Sequence, residues 1–281
     1  MKIGIIGLGL IGGSLGLDLR SLGHTVLGAS QKESTCQTAK NIGAVDHART
    51  DLESMPQSDL IFICTPIPYI IPTLQQLIPS LKPTTIVTDV GSVKTPIVQD
   101  CTALWSNFVG GHPMAGTAEQ GINAAQFKLF VNRPYVITPT PESPAESVQI
   151  LADLVSSIGA DVYTQYSPQI HDQAVAWISH LPVMISASLI HACMSETDSH
   201  ILEAAQKLAS SGFASTSRVG GGNPELGVMM AKYNKEAILR SLRQYRQNLN
   251  DLINYIETEN WSSLENTLEY TQQARPNFID S

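Results

Sequence analysis

The sequence predicts an α/β protein: an N-terminal doubly wound parallel sheet followed by an all-α C-terminal region. Three observations predict it. Short β-rich runs alternate with helical stretches through residues 1–165, the pattern of a parallel sheet covered on both faces. Several of those runs are continuously apolar, as strands buried on both sides should be. After Ser167 the strand signals stop and long helical periodicity takes over. The boundary falls near Tyr166–Pro168, giving expected domains of 1–165 and 166–281, and 281 residues suit two domains. Each is long enough to bury a core without disulfide staples.

Strands are expected at Lys2–Ile6, Thr25–Gly28, Leu60–Cys64, Thr85–Asp89, Phe108–Gly111, Tyr135–Thr138 and Asp161–Tyr163. Helices are expected between them at Ile11–Leu22, Lys32–Asn41, Ile70–Ile78, Pro96–Leu104 and Ala145–Ile158. Further on, Asn223-Pro224 pairs an N-cap side chain with proline at the first helical position. Within Asn234–Glu257, residues Ile238, Leu242, Tyr245, Leu249, Leu252 and Ile256 recur at spacings of four and three. They form an apolar stripe on a helix of ~36 Å. The stripe serves either packing within the domain or a homodimer through the C-terminal helices, and the homodimer is the expectation.

Composition narrows the function. Asp and Glu outnumber Lys and Arg by 25 to 17, a formal charge of −8, so no basic footprint for nucleic acid is present. Cys36, Cys64, Cys101 and Cys193 lie far apart with no C-x-x-C, which argues against a zinc ribbon or disulfide framework. The apolar run Leu60–Leu74 contains Pro66, Pro68 and Pro72 and is no membrane span. Six glycines between Gly4 and Gly16 punctuate the N-terminal apolar run, unlike a signal peptide. A cytoplasmic protein without membrane attachment is expected.

Those glycines have a chemical reading. Gly7-Leu8-Gly9-Leu10-Ile11-Gly12 is G-x-G-x-x-G between an expected strand and an expected helix, the Rossmann dinucleotide fingerprint. Gly7 permits the tight turn, Gly9 lets backbone approach a pyrophosphate, and Gly12 allows close helix–strand packing. After the second strand an NAD site usually carries Asp or Glu, whereas here the chain reads Ser30-Gln31-Lys32. Ser30 can donate to a 2′-phosphate and Lys32 can neutralise it, with Glu33 working against them, so NADP is the expected cofactor. Thr65 and Pro66 follow the strand Leu60–Cys64 at the cofactor edge, although Pro66 serves equally well to end the strand.

Asp89-Val90-Gly91-Ser92-Val93-Lys94 closes the next strand; Ser92 can present a hydroxyl near a nicotinamide, and Asp89 suits a turn cap. Gly110-Gly111-His112-Pro113 follows at the same edge. Histidine, with an unperturbed pKa of about 6.5, is a natural acceptor for a hydroxyl proton when hydride leaves a carbinol carbon.

The fingerprint, D-V-G-S-V-K, G-G-H-P-M-A-G-T (110–117) and H-D-Q-A-V-A-W-I-S-H-L-P (171–182) together resemble the prephenate/arogenate dehydrogenases of tyrosine biosynthesis, over residues 1 to about 240. The resemblance implies an oxidative decarboxylation of a cyclohexadienyl substrate. It makes His112 the catalytic histidine and Ser92 its hydroxyl-binding partner. It makes Arg218 the arginine that binds the ring carboxylate, puts His180 in the wall of the pocket, and includes Thr117 in the substrate loop. Three departures stand out. Val183 replaces a second histidine associated with the side-chain carboxylate of prephenate, which favours arogenate as substrate. Ala118 stands where some members carry an acidic residue, with Glu119 following, and Gly227 stands where a tryptophan is common.

His171-Asp172 reads either as pocket lining or as a helix-start hydrogen bond. His191 and His200 lack ligand spacing, and no metal is expected. Trp105 and Trp261 are expected to pack. Two other classes share the architecture: a β-hydroxyacid dehydrogenase, for which Lys207 and Lys232 lack the expected setting, and an NADP-sensing binding protein.

Overall fold

A computed structural model describes residues 1–117 and 119–279, so Ala118 lies outside the described residues. Eight strands form one sheet: β1 (Lys2–Ile6), β2 (Thr25–Ala29), β3 (His47–Arg49), β4 (Leu60–Ile63), β5 (Ile86–Asp89), β6 (Phe108–Pro113), β7 (Pro134–Thr138) and β8 (Asp161–Tyr163). Their spatial order is β3-β2-β1-β4-β5-β6-β7-β8. The chain therefore winds outward one way from β1 to β3, returns, and continues from β4, which leaves a switch point between β1 and β4. Neighbours are parallel from β3 through β6; β7 runs antiparallel to β6, and β8 is parallel to β7.

The crossover helices are α1 (Leu10–Ser21), α2 (Glu33–Asn41), α3 (Ile67–Leu77), α4 (Thr95–Leu104) and α5 (Ala145–Ser157). They cover both faces. One core cluster takes Ile3, Ile5 and Phe62 with Leu15, Leu19 and Ala39 of α1 and α2 and Leu151 of α5. The other takes Ile61, Ile63 and Val87 with Ile70 and Leu74 of α3 and Val98 and Cys101 of α4. Strand residues alternate between these clusters, which is why their sequence is continuously apolar. Trp105 belongs to the second cluster and donates to the Thr85 carbonyl at 3.0 Å.

The expected elements agree with the observed ones to within a few residues, with two instructive differences. β3 was not expected, because three half-exposed edge residues carry no periodicity. β6 runs on through His112 and Pro113, so the histidine sits inside a strand, opposite Val136, rather than past its end. The added pairing comes from the antiparallel β7.

Helical structure resumes with α6 (Pro168–Val175), a single π-helical stretch at Ala176–His180, and α7 (Leu181–Met194). This run of 27 residues is long and apolar enough by composition to cross a membrane. It nevertheless carries the buried polar residues His171, Asp172, His180 and Ser186. α8 (Ser199–Leu208), α9 (Ser211–Ser217), a 3-10 turn at Arg218–Gly221 and α10 (Pro224–Tyr233) follow. The Asn223 side chain accepts from the Glu225 amide at 2.9 Å, capping α10 as its sequence suggests.

Compact packing divides the chain after Asn234. α6 packs on α4 and β7, and Asp172 accepts from two α4-start amides, so the helical region is joined to the sheet through α6. The second unit holds α11 (Lys235–Glu257), α12 (Trp261–Ala274) and α13 (Pro276–Ile279). Its apolar stripe begins at the buried Ile238 and ends exposed at Tyr245, Leu249 and Ile256. Trp261 does not pack as expected: it opens α12 and is 56% exposed.

Candidate active site

The β1–α1 turn is shaped for close backbone approach. Gly7 has φ of +98°, and a Cβ there would lie 2.6 Å from the Cys64 carbonyl oxygen; a Cβ at Gly12 would lie 2.1 Å from the Gly7 oxygen. Gly9, at the N-cap of α1, faces open space, and no side chain caps that helix. The first amides of α1 are thus free for an anion. Leu8 is buried in the core, so its contribution to a ligand is its backbone; Leu10 and Ile11 are half-buried along the same turn. Opposite, at the end of β4, Thr65 Oγ1 is buried without a hydrogen-bond partner among the described residues. Pro66 stands at the N-cap of α3, the structural role open to it from sequence. These features fit a dinucleotide.

At the tip of β2 the Ser30 amide donates to the Arg49 carbonyl at 3.1 Å, which fixes the turn into α2. Gln31 and Lys32 are exposed, Lys32 at the N-cap of α2. The nearby Arg49 guanidinium is occupied by Asp51 and Glu53. Lys32 is an exposed cation here with no ion pair among the described residues.

Further along the edge, Asp89 and Lys94 form a fully buried ion pair. Asp89 also accepts from Gly91 N at 2.8 Å and Gly111 N at 3.3 Å, which makes it the expected turn cap and more. Lys94 Nζ donates to the Gly111 carbonyl at 2.8 Å. The β5–α4 turn is thereby stapled to the strand residue just before His112.

His112 is nearly buried, and its Nδ1 lies 2.8 Å from His171 Nε2. His171 Nδ1 lies 2.8 Å from Asp172 Oδ1. Asp172 in turn accepts from Lys94 N and Thr95 N, each at 2.7 Å. Burial would push the Asp172 carboxyl up, but the hydrogen bonds from His171, Thr95 and Lys94 outweigh it and hold the group below the usual carboxylate range. Burial, reinforced by His171, Lys94 and His180, pushes His112 well below the usual imidazole range. His112 is therefore neutral near pH 7, with Nδ1 engaged and Nε2 the nitrogen open to a substrate.

Ser92 Oγ, after the same strand end, is buried with no partner among the described residues. So is His180 Nε2, whose ring is fully buried at the π-helical stretch; Asn234 Nδ2 lies 3.1 Å from its Nδ1. Burial lowers His180 to about 4. Buried polar atoms without partners are rare in native proteins, and a water, an ion or a ligand can supply the missing bond. The loop after β6 behaves differently. Thr117 is exposed, its hydroxyl bonded to the Glu119 backbone at 3.2 Å. Asn223 Nδ2, 3.4 Å from Gln120 Oε1, ties that loop to the turn carrying Arg218. Arg218 itself is exposed, with no hydrogen bond or ion pair among the described residues. Its turn is docked on α7 through Gly220 N and Ser186 Oγ, 2.8 Å apart.

His112 and His180 are thus buried rings close enough to influence each other's charge, Ser92 Oγ is buried after β5, and Thr117 and Arg218 lie in exposed loops. Sequence reasoning missed Lys94 and Asn234, and left His171-Asp172 open between two readings. Both readings of that pair are incomplete: Asp172 does bond helix-start amides, but those of α4, 78 residues away in sequence.

The family model for the prephenate dehydrogenase nucleotide-binding domain matches residues 15–164, and that for the prephenate dehydrogenase dimerization domain matches 167–270. The chain belongs to the prephenate dehydrogenase family. It is an oxidoreductase of that family. A curated prephenate dehydrogenase of Bacillus subtilis is 28% identical over 96% of this chain and 73% of its own length. The crystal structure of Synechocystis arogenate dehydrogenase shares 54% identity, with a TM-score of 0.89 over 99% of this chain and all of that one. Prephenate dehydrogenase from A. aeolicus, crystallised with hydroxyphenyl propionate and NAD+, is 24% identical and has the same fold, with a TM-score of 0.93 over 99% of this chain and 98% of that one.

Proposed function

We propose that this member of the prephenate dehydrogenase family converts arogenate to tyrosine and carbon dioxide with NADP. The carrying observation is His112: a neutral, nearly buried imidazole, held at Nδ1, on the sheet edge that also bears a free phosphate-binding turn. When bound, a nicotinamide supplies the hydride acceptor. His112 Nε2 takes the proton of the C4 hydroxyl as the hydride leaves that carbon, and Ser92 Oγ hydrogen-bonds the same oxygen. Loss of the ring carboxylate as carbon dioxide leaves its electron pair to complete the aromatic ring. Positioning and charge placement are all the chain needs to contribute.

Arg218 grips the ring carboxylate in this reading, since a guanidinium fork suits a carboxylate. His180 and Thr117 line the substrate side. Gly7 to Gly12, Thr65 and Pro66 hold the dinucleotide, and Ser30, Gln31 and Lys32 receive the 2′-phosphate. Residues 1–165 form the dinucleotide half and 166–281 the substrate and dimer half.

Arogenate is favoured over prephenate by Val183. It stands where members with the S-H-L-P-H form carry a second histidine, and the Gly227 site, where a tryptophan is common, lies beside it: a Cβ there would sit 3.9 Å from Val183 Cγ1. The two departures together remove an imidazole and a large ring from one spot. A homodimer is supported by the exposed apolar residues Ile201, Leu208 and Val228 in the first unit and by the exposed end of the α11 stripe. Cytoplasmic residence suits an enzyme using a soluble nucleotide.

Initial rates with arogenate and prephenate, each paired with NAD and NADP, test the assignment. The arogenate–NADP pair should give the highest kcat/KM. Failure of both substrates to reduce either nucleotide would overturn it.

A further inference from the structure

We infer that His171 and Asp172 are positioning residues that fix the proton map of His112, setting which ring nitrogen is the base and sharing the charge it acquires. The inference rests on the reading of His112 as the acceptor of the substrate hydroxyl proton.

The map follows from counting donors. Both Asp172 oxygens accept backbone N–H groups at 2.7 Å, from Lys94 and Thr95, so the side chain faces this site as an acceptor only. His171 Nδ1, 2.8 Å from Asp172 Oδ1, must then carry the proton. That is the ring's one proton in this map, so His171 Nε2 accepts and His112 Nδ1 at 2.8 Å donates to it. One acceptor position remains in the chain, His112 Nε2. A carboxylate two groups away thus dictates that the reacting nitrogen is unprotonated before substrate arrives.

The arrangement resembles the acid–histidine half of a catalytic triad with one more imidazole in the line. When His112 Nε2 takes the substrate proton, the ring becomes an imidazolium. The His112 Nδ1 proton can then shift to His171 Nε2, which moves the positive charge onto His171 beside the Asp172 carboxylate; Asp172 stays ionised, and no atom is gained or lost along the line. The anion would otherwise be remote from the base. The charged and titratable groups around His112 are His171 and Asp172 of α6, His180 of the π-helical stretch, and the Asp89–Lys94 pair of the β5–α4 turn. Asp89 is already neutralised by Lys94, so Asp172 is the carboxylate left to stabilise the imidazolium. Asp172 also seats its own element, because its two backbone bonds pin α6 to the start of α4.

The test begins with wild-type protein carrying 15N-labelled histidine, its rings assigned with His112→Asn and His171→Leu. Near pH 7.5 the ring nitrogens should show the proton on Nδ1 of both His112 and His171. A proton on Nε2 of His112, or a doubly protonated His171, overturns the inference without touching the enzyme assignment. Kinetics supply the second arm. His171→Leu, which cannot accept the Nδ1 proton, should lower kcat by about 10²-fold with KM for substrate and Kd for nucleotide within twofold. His171→Gln, whose amide oxygen can accept it, should recover at least tenfold of that loss. Wild-type kcat in His171→Leu, or equal losses in the Leu and Gln variants, overturns it. Should His171→Leu fail to bind nucleotide, the tautomer measurement decides alone. Wild-type protein inert toward both dienols would sink the proposed function instead.

Discussion

Asn234 holds His180 in one protonation state. Its Nδ2 has two protons, one directed at the Asp172 carbonyl at 2.8 Å and the other at His180 Nδ1 at 3.1 Å. Nδ1 is therefore an acceptor, and the proton of the neutral ring resides on Nε2, the buried atom with no partner among the described residues. His180 presents a donor to the pocket, which an oxygen of the substrate can accept. Burial keeps the ring neutral across the working pH range, so it recognises by hydrogen bond and not by charge.

Replacing Asn234 with Ala releases that lock. KM for the dienol substrate should rise about tenfold, the worth of one well-placed hydrogen bond, while Kd for the nucleotide stays within twofold. Steady-state kinetics beside nucleotide titration separate the two. An unchanged KM would remove His180 from the substrate wall.

His112→Asn removes the acceptor and keeps a polar group of similar size. Turnover should fall by about 10²–10⁴-fold. No phosphate contact is lost, so nucleotide affinity measured by fluorescence quenching should not move. Turnover like that of the wild type would end the assignment of His112.

Lys32→Ala tests the nucleotide. Lys32 is the exposed cation at the tip of β2 that no carboxylate occupies, in contrast to Arg49 with Asp51 and Glu53. KM for NADP should rise about tenfold and KM for NAD should hardly change, because only the former offers a 2′-phosphate. Equal shifts for both nucleotides would place Lys32 elsewhere.

Acid should unfold the protein early. His180 titrates near 6.5 when unfolded and near 4 when folded, and His112 is lowered in the same direction. Between those values the unfolded chain binds more protons than the folded one, so stability rises with pH there and is lost as pH falls. For His180 alone the loss between pH 7 and pH 4 is about 3 kcal/mol. Urea midpoints at pH 7, 6, 5 and 4.5 should fall steadily, and His180→Gln should flatten the curve. A midpoint constant down to pH 4.5 would contradict burial of a neutral ring.

Much of this was legible in the chain itself. Periodicity and punctuation locate β1, β2, β4 to β7 and the helices between them because each buries a continuous or striped apolar face, a local property. The glycine turn is legible for the same reason: a φ of +98° at Gly7 is a demand that one residue type meets in place. Gly110-Gly111-His112 points to a functional histidine because two residues without side chains crowd a sheet edge beside it.

What the chain by itself determined, then, is the alternation that winds the sheet and the residue types placed at its carboxyl edge. Only the tertiary structure decided their partners. His171 lies 59 residues from His112, Asp172 lies 78 from Lys94, and Asn234 lies 54 from His180. A hydrogen bond across such distances leaves no period in the sequence, since its register is set by how α6 seats on α4. The antiparallel β7, which carries β6 on through His112, is decided the same way: strand pairing is a contract between distant segments, and neither segment records it alone.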